Sequence, residues 1–106
     1  SSYSPLFETL IKNIDDNESK ILDIHFISDL MENGRKFRFY DVIPMAEELI
    51  KEYPLPKKAN ELSIHVHMIE RRKHSRELIN AVQSVWKEYF TQQGALIDFQ
   101  RLLITD

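Results

Sequence analysis

The chain has 106 residues, of which 42% are hydrophobic and 29% charged, with two glycines and no cysteine. Folding a chain of this length buries roughly two-thirds of its unfolded surface, which is enough for one core. We therefore expect a single globular domain over residues 1–106. The absence of cysteine excludes thiol nucleophiles, disulfides and thiolate metal sites, and two glycines are too few for a glycine-rich phosphate loop.

The formal net charge of -3 is unevenly distributed along the chain. Residues 1–34 carry two basic and seven acidic side chains, whereas residues 57–87 carry seven basic and three acidic ones. A weakly acidic domain with one basic segment is not a general nucleic-acid binder, because such proteins are usually basic over a whole face.

The length of the apolar runs and the start of the sequence predict where in the cell the protein is located. No apolar run approaches the roughly 20 residues that span a bilayer, and no signal peptide opens the chain. We expect a cytoplasmic protein with no membrane contact in this fragment. The chain begins at Ser1 without a methionine and ends directly after an apolar run, which favours a piece of a longer protein.

The first third of the chain is predicted to be helical. Ser4 and Pro5 are typical of a helix start, and apolar residues follow at 3.6-residue spacing over residues 6–14. A second helix is predicted over residues 17–33. Its apolar residues surround most of the axis, so it should be the most buried element. Asp23 is expected to be an exposed residue of its first turn, with a buried functional acid as the alternative.

The middle of the chain contains shorter elements. Residues 36–40 alternate and predict a short strand, after which Asp41 should cap a third helix that ends at Tyr53. Residues 62–68 fit a strand, because their apolar side chains would then all point one way and their polar ones the other. A helix is the alternative there, although it would scatter the same side chains around its axis.

The last third predicts a long helix and a hairpin. The helix begins near Ser75 and stops at residues 92–94, and residues 95–99 and 102–105 should form a tight hairpin. The element order is that of a winged-helix domain. The predicted class is α+β, mostly helical, with four helices, a short strand pair and a C-terminal hairpin. The predicted core includes Leu22, Ile27, Leu30, Leu49, Val82 and Trp86.

Four segments resemble a known family. Residues 4–12, with the sequence S-P-L-F-E-T-L-I-K, and K-I-L at 20–22 resemble the H-P-x-F-x-x-I-I-K and A-K-I-L segment of the bacterial abortive-infection alpha (Abi-alpha) family. Residues 94–97 and 102–105 resemble its later G-L-I and L-T segment. The resemblance implies a bacterial domain linked to phage defence. It carries no catalytic residues over to this chain.

The histidines are the strongest candidate for chemistry. His65 and His67 lie two residues apart, so on a strand they project to the same side and can share a metal ion, with His74 as a further candidate ligand. The more common reading is the solvent-facing polar side of a half-buried strand, so we predict no metal and no cofactor. Neither Ser63 nor Ser75 lies in a nucleophile elbow, so we expect no enzymatic activity.

A basic segment, residues 71–76, precedes the long helix. In a winged helix it would contact phosphates, while polar residues of the helix reach base edges. It can also be a solvated connector, or dock against acidic helices of another subunit. The leading hypothesis is a non-enzymatic protein-interaction domain whose partner is another protein or a second copy, and nucleic-acid binding is the alternative. The nucleic-acid candidates are Arg71, Arg72, Lys73, Arg76, Asn80, Gln83 and Lys87.

Overall fold

The computed structural model describes residues 10, 12, 22–31, 37–55 and 62–106. Leu10 and Lys12 are helical. The helices and strands are, in chain order, β1 (Leu22–Ser28), α1 (Ala46–Glu52), β2 (Leu62–Arg71), α2 (Arg76–Gln92) and β3 (Leu96–Thr105). The three strands form one parallel sheet in the order β1-β2-β3, so β2 is the central strand.

The register of the sheet places side chains in rows across the three strands. His25 of β1 pairs with His65 of β2, which pairs with Asp98 of β3. Because side chains alternate between the two faces along each strand, paired residues share a face. After Met68 the register shifts by one residue, so that Leu103 pairs with Ile69.

Strand β2 alternates between buried and half-buried residues along its whole length. Leu62, Ile64, Val66 and Met68 are buried on one face, which confirms the strand predicted over residues 62–68. The helical alternative is wrong. A strand between two neighbours has every backbone group in the ladder, so only its side chains distinguish the two faces.

Helix α2 begins and ends where its sequence signals predict. The Ser75 hydroxyl accepts the N–H of Leu78 at 3.1 Å, and this capping bond starts the helix at Arg76. The helix ends at Gln92, and Gly94 follows with a φ of 90°, a conformation that glycine adopts without steric cost.

Both helices lie against the same face of the sheet. Leu49 of α1 and Trp86 of α2 belong to the same buried cluster as the side chains of β2 that are buried on one face. The Tyr89 hydroxyl of α2 donates to the Tyr53 carbonyl at the end of α1, which ties the two helices together. The core between helices and sheet contains Leu10, Leu30, Phe39, Leu49, Leu62, Ile64, Val66, Met68, Val82, Trp86, Tyr89 and Phe90.

The chain turns away from β1 at Leu30, whose φ of 60° lies in the left-handed region that leucine seldom adopts. The Ser28 hydroxyl accepts the Leu30 N–H at 2.9 Å, and the Trp86 indole N–H donates to the Leu30 carbonyl at 2.9 Å. Leu30 is therefore buried as predicted, but in a turn and not in a helix.

The predicted fold class is wrong. The described residues contain helices α1 and α2 and a three-stranded parallel sheet, not a mostly helical winged-helix arrangement of four helices with a strand pair. A helix is predicted over residues 17–33, but residues 22–28 of this segment form strand β1. A strand of a parallel sheet is rich in apolar residues on both sides, and this resembles a helix that is apolar all round.

The prediction of a C-terminal hairpin is also wrong, because residues 96–105 form the single strand β3, which is parallel to β2. At residues 36–40 the described part holds a single bridge residue, Arg38, followed by a turn closed by the Asp41 N–H on the Arg38 carbonyl. Asp41 does not cap a helix. Since a residue before proline disfavours helical angles, α1 begins only after Pro44, at Ala46.

Four predicted core residues, Leu30, Leu49, Val82 and Trp86, are confirmed as buried. Ile27 was expected in the core, but its side chain is 67% exposed because odd-numbered residues of β1 point away from the helices. The side chain of Leu22 lies outside the described residues. So do most of the predicted first helix and the segment from 13 to 21.

Candidate functional site

The face of the sheet opposite the helices is exposed or half-buried at every position. No described residue forms a layer over it. We name this surface the open face. Where all three strands pair, it consists of Asp23, His25 and Ile27 of β1, Ser63, His65 and His67 of β2, and Leu96, Asp98 and Gln100 of β3.

His65 lies at the centre of the open face between two carboxylates. Its Nε2 atom is 3.0 Å from Asp23 Oδ1, and its Nδ1 atom is 3.0 Å from Asp98 Oδ2. A neutral imidazole has one N–H, whereas a carboxylate only accepts, so both contacts are hydrogen bonds when His65 is an imidazolium. The bond to Asp23 first, and the bond to Asp98 next, raise the pKa of His65 above its ordinary value of 6.5.

His25 and His67 form a second contact between β1 and β2. The Nδ1 atom of His25 lies 2.9 Å from the Nε2 atom of His67. Their ring centroids are 5.2 Å apart and their planes differ by 15°, and an N–H of one ring can donate to the bare nitrogen of the other. His25 also stacks on His65, with centroids 4.7 Å apart.

These contacts give the open face a polar centre and a negative charge. Asp23 and Asp98 contribute two negative charges, and when His65 is an imidazolium the three groups together carry a net charge of -1. The polar side chains are hydrogen-bonded to one another across all three strands. Two apolar residues lie at opposite corners of the face: Ile27 is 67% exposed and Leu96 is 69% exposed.

The expected common side of His65 and His67 is confirmed. Both His65 nitrogens bind carboxylates, and the His67 nitrogen that faces β1 binds His25. In the part of the chain that the structure describes, no group of three or more histidine, aspartate or glutamate side chains is arranged to hold a metal ion. His74 lies beyond the end of β2, with its ring 5.8 Å from that of Tyr40. The expected absence of a metal stays a prediction.

The basic segment is placed at the carboxyl end of β2, where acidic groups bind its arginines. Arg71 Nε lies 2.8 Å from Asp29 Oδ2, and Arg76 Nη2 lies 2.8 Å from Glu70 Oε1. Arg72 lies 3.5 Å from Asp106. These ion pairs neutralise most of the charge that the sequence concentrates here.

The remaining nucleic-acid candidates do not form one surface with those arginines. Lys73 lies over the Tyr40 ring, 5.9 Å from its centroid. Asn80 and Lys87 are exposed and Gln83 is half-buried along α2. Because α2 is the layer that covers a parallel sheet, it is not the recognition helix of a winged-helix domain.

The site residues that the sequence did not predict are His25 and Asp98. Asp23 is exposed, as expected, but it lies in β1 and not in the first turn of a helix, and the alternative of a buried acid is wrong. His25 falls within the helix predicted over residues 17–33, and Asp98 falls within the hairpin predicted from residues 95–99 and 102–105. The signal was present in β1, where Asp23, His25 and Ile27 alternate with Ile24 and Phe26, although it became meaningful only once this segment was known to be a strand.

The described residues contain no helix that is both long and apolar enough to cross a membrane. No protein-family model, curated protein or solved structure matches the chain. The resemblance to the Abi-alpha family stays a prediction. The open face is therefore the surface from which we infer a function.

Proposed function

We propose that this chain is a non-enzymatic protein-interaction domain that binds another protein through the open face. One observation carries the proposal: a parallel sheet has both of its described helices on the same side. Purely parallel sheets occur almost only where both faces are covered. The open face is therefore suited to a layer supplied by another molecule.

The dimensions and chemistry of the face favour an amphipathic helix as the partner element. Ile27 and Leu96 lie two strands and four residues apart, a distance of about 16 Å from standard sheet spacings. A helix spans that distance in about 11 residues, or three turns. Two apolar side chains on such a helix would cover Ile27 and Leu96.

The charge of the face favours a basic partner. Between the two apolar corners lie Asp98 and the half-buried His65, and Asp23 lies at the edge beside them. A lysine or arginine in the middle of the partner helix would meet a net charge of -1 and two carboxylates. Such contacts set orientation and association rate more than affinity.

Catalysis and nucleic-acid binding have less support. A general base must be able to accept a proton, whereas the hydrogen bonds to Asp23 and Asp98 raise the pKa of His65 and favour its protonated form. The same carboxylates repel phosphates, and Asp29 and Glu70 neutralise two arginines of the basic segment. From the sequence alone, we also propose that the protein is bacterial, cytoplasmic and linked to phage defence.

Site-specific photo-cross-linking tests the proposal. Gln100 on the open face and Asn80 on the exposed side of α2 are each replaced by a photoreactive phenylalanine in cells that make the full-length protein. We expect Gln100 to give a discrete adduct with a different protein, distinct in mass from two cross-linked copies of this chain, and Asn80 to give none. An adduct that nuclease removes, or equal adducts from both positions, would reverse the conclusion.

A binding measurement then tests the chemistry of the partner. The cross-linked segment is synthesised as a peptide, and its affinity is measured by calorimetry for the wild type, for Ile27→Glu and for the control Asn80→Glu. We expect the open-face substitution to weaken binding at least tenfold and the control to leave it unchanged. Equal affinities for all three proteins, or a peptide that is acidic or lacks an apolar side, would contradict the proposal.

A further inference from the structure

Strand β3 forms an edge of the sheet along its ten residues, Leu96–Thr105. It pairs with β2 on one side, and no described residue pairs with its other side. An edge strand of this length presents a row of unpaired N–H and C=O groups that another strand can bind.

The side chains of β3 leave this edge without charge protection. Natural edges are usually blunted by lysine or proline, and β3 contains neither. Its two charged residues are drawn towards the middle of the sheet, because Asp98 binds His65 at 3.0 Å and Arg101 binds Glu70 at 3.2 Å. Neither charge is left free to repel a strand that approaches from outside.

The same strand exposes apolar side chains. Leu96 is largely exposed at its start, and three consecutive residues near its end, Leu102, Leu103 and Ile104, are about half exposed. Exposed apolar runs of this kind mark surfaces that are covered by a partner.

We propose that β3 pairs antiparallel with β3 of a second copy of this chain, around a two-fold axis that passes beside Phe99. Phe99 lies midway between Leu96 and Leu102, three residues from each. Antiparallel pairing centred there sets Leu96 of each copy opposite Leu102 of the other, so that these two exposed leucines contact each other.

The polar residues favour the same register. Pairing centred on Phe99 places Asp98 opposite Gln100 of the second copy, whose amide can donate to the carboxylate. Pairing centred on Asp98 or on Arg101 would instead place two like charges opposite each other, which is destabilising. The register around Phe99 thus pairs the exposed leucines with each other and gives Asp98 a hydrogen-bond donor.

The pairing would join two three-stranded sheets into one of six strands, with the order β1-β2-β3-β3-β2-β1. It uses the outer backbone edge of β3 and shares Leu96, Asp98 and Gln100 with the open face. The dimer does not rest on the proposed function, because sedimentation velocity measures it without a partner protein. One strand edge per copy buries less than the about 1,200 Å² of a typical stable complex. We therefore expect a dimer that dissociates on dilution.

Sedimentation velocity over a range from low to high micromolar concentration tests the proposal. We expect the sedimentation coefficient to rise from that of a monomer to that of a dimer. Leu102→Lys and Leu96→Glu should each weaken dimerisation at least tenfold. Val42→Lys, which replaces an exposed apolar residue away from β3, should leave it unchanged.

A double variant tests the register directly. Combining Leu96→Glu with Leu102→Lys places opposite charges across the two-fold axis at both ends of the strand, so dimerisation should recover. Within one copy the two positions are six residues apart along a strand, so the recovery cannot arise inside a monomer. A monomer at every concentration, a dimer insensitive to the single variants, or a double variant without recovery would overturn the proposal.

Discussion

The helix-covered face and the open face of the sheet are made by alternate residues of the same three strands, yet they differ in what holds their side chains. On the covered face, Leu62, Ile64, Val66 and Met68 of β2 are buried among helix residues. On the open face, the intervening residue His65 is held by hydrogen bonds to carboxylates of both neighbouring strands. Packing therefore stabilises one face, and a polar network organises the other.

Each face also has a charged residue of β2 that lies between two residues of opposite charge, and the signs of these charges are reversed between the faces. On the covered side, the buried carboxylate of Glu70 lies between Arg76 and Arg101; on the open side, the imidazolium of His65 lies between two aspartates. Each is a central charge on β2 with two opposite partners. Their difference in burial predicts that Glu70 matters for stability and His65 mainly for surface charge.

The largest difference between the faces should appear when isoleucines are truncated. Ile64 is 1% exposed and Ile27 is 67% exposed. Because a buried truncation leaves a cavity, we expect Ile64→Ala to lower the free energy of unfolding by about 2–5 kcal/mol and Ile27→Ala by less than about 0.5 kcal/mol. Urea denaturation measures both. Equal losses would show that the open face is covered in the isolated chain.

The parts of the fold that were predictable are those whose signals are local. In α2 the cap at Ser75, the apolar stripe and the stop at Gly94 all lie within one segment, and in β2 strict alternation separates His65 and His67 from their apolar neighbours. Such patterns depend on the element's own period and not on its neighbours.

The remaining elements depend on tertiary contacts. Residues 22–28 are apolar enough for a buried helix, and only their pairing with β2 makes them a strand. Polar residues between 98 and 101 interrupt the apolar pattern of this segment and predict a turn, but the chain continues as one strand with a register shift at Leu102. The open face escaped prediction for the same reason, since Asp23 and Asp98 meet His65 only through the parallel register.

A smaller effect is expected at Glu70, the one buried acid among the described residues. Its removal leaves Arg76 and Arg101 without a counter-charge, so Glu70→Gln should lower the free energy of unfolding by about 1.5–3 kcal/mol. Glu88→Gln, at an exposed position of α2, is the matched control and should change it by less than about 0.5 kcal/mol.

The contribution of Glu70 should depend on pH. Arg76 first, with Arg101, lowers its pKa below the ordinary value of 4.5. The stabilisation is therefore fully present above pH 4.5 and is lost as the pH falls through the lowered pKa. Urea denaturation of the wild type and of Glu70→Gln should converge in acid. A difference that stays constant down to the acid limit would show that the ion pairs with Arg76 and Arg101 do not form.

The smallest effect on stability is expected at His65, whose partners are exposed to solvent that screens the charges. Its pKa is raised above 6.5 by the hydrogen bond to Asp23 and then by that to Asp98. The stabilisation is accordingly present below pH 6.5 and is lost as the pH rises through the raised pKa. An NMR titration of the His65 ring measures this pKa directly.

Substitutions of the two aspartates separate their contributions to His65. Asp23→Asn should lower the pKa of His65 towards 6.5, and Asp98→Asn should lower it by a smaller amount, because the bond to Asp23 is the larger cause. Ser63→Ala, on the same face of β2 without a charge, should leave it unchanged. If His65 titrated at or below 6.5 in the wild type, it would be neutral at pH 7, and the open face would carry two uncompensated carboxylates. The partner would then need a more strongly basic helix than the one proposed.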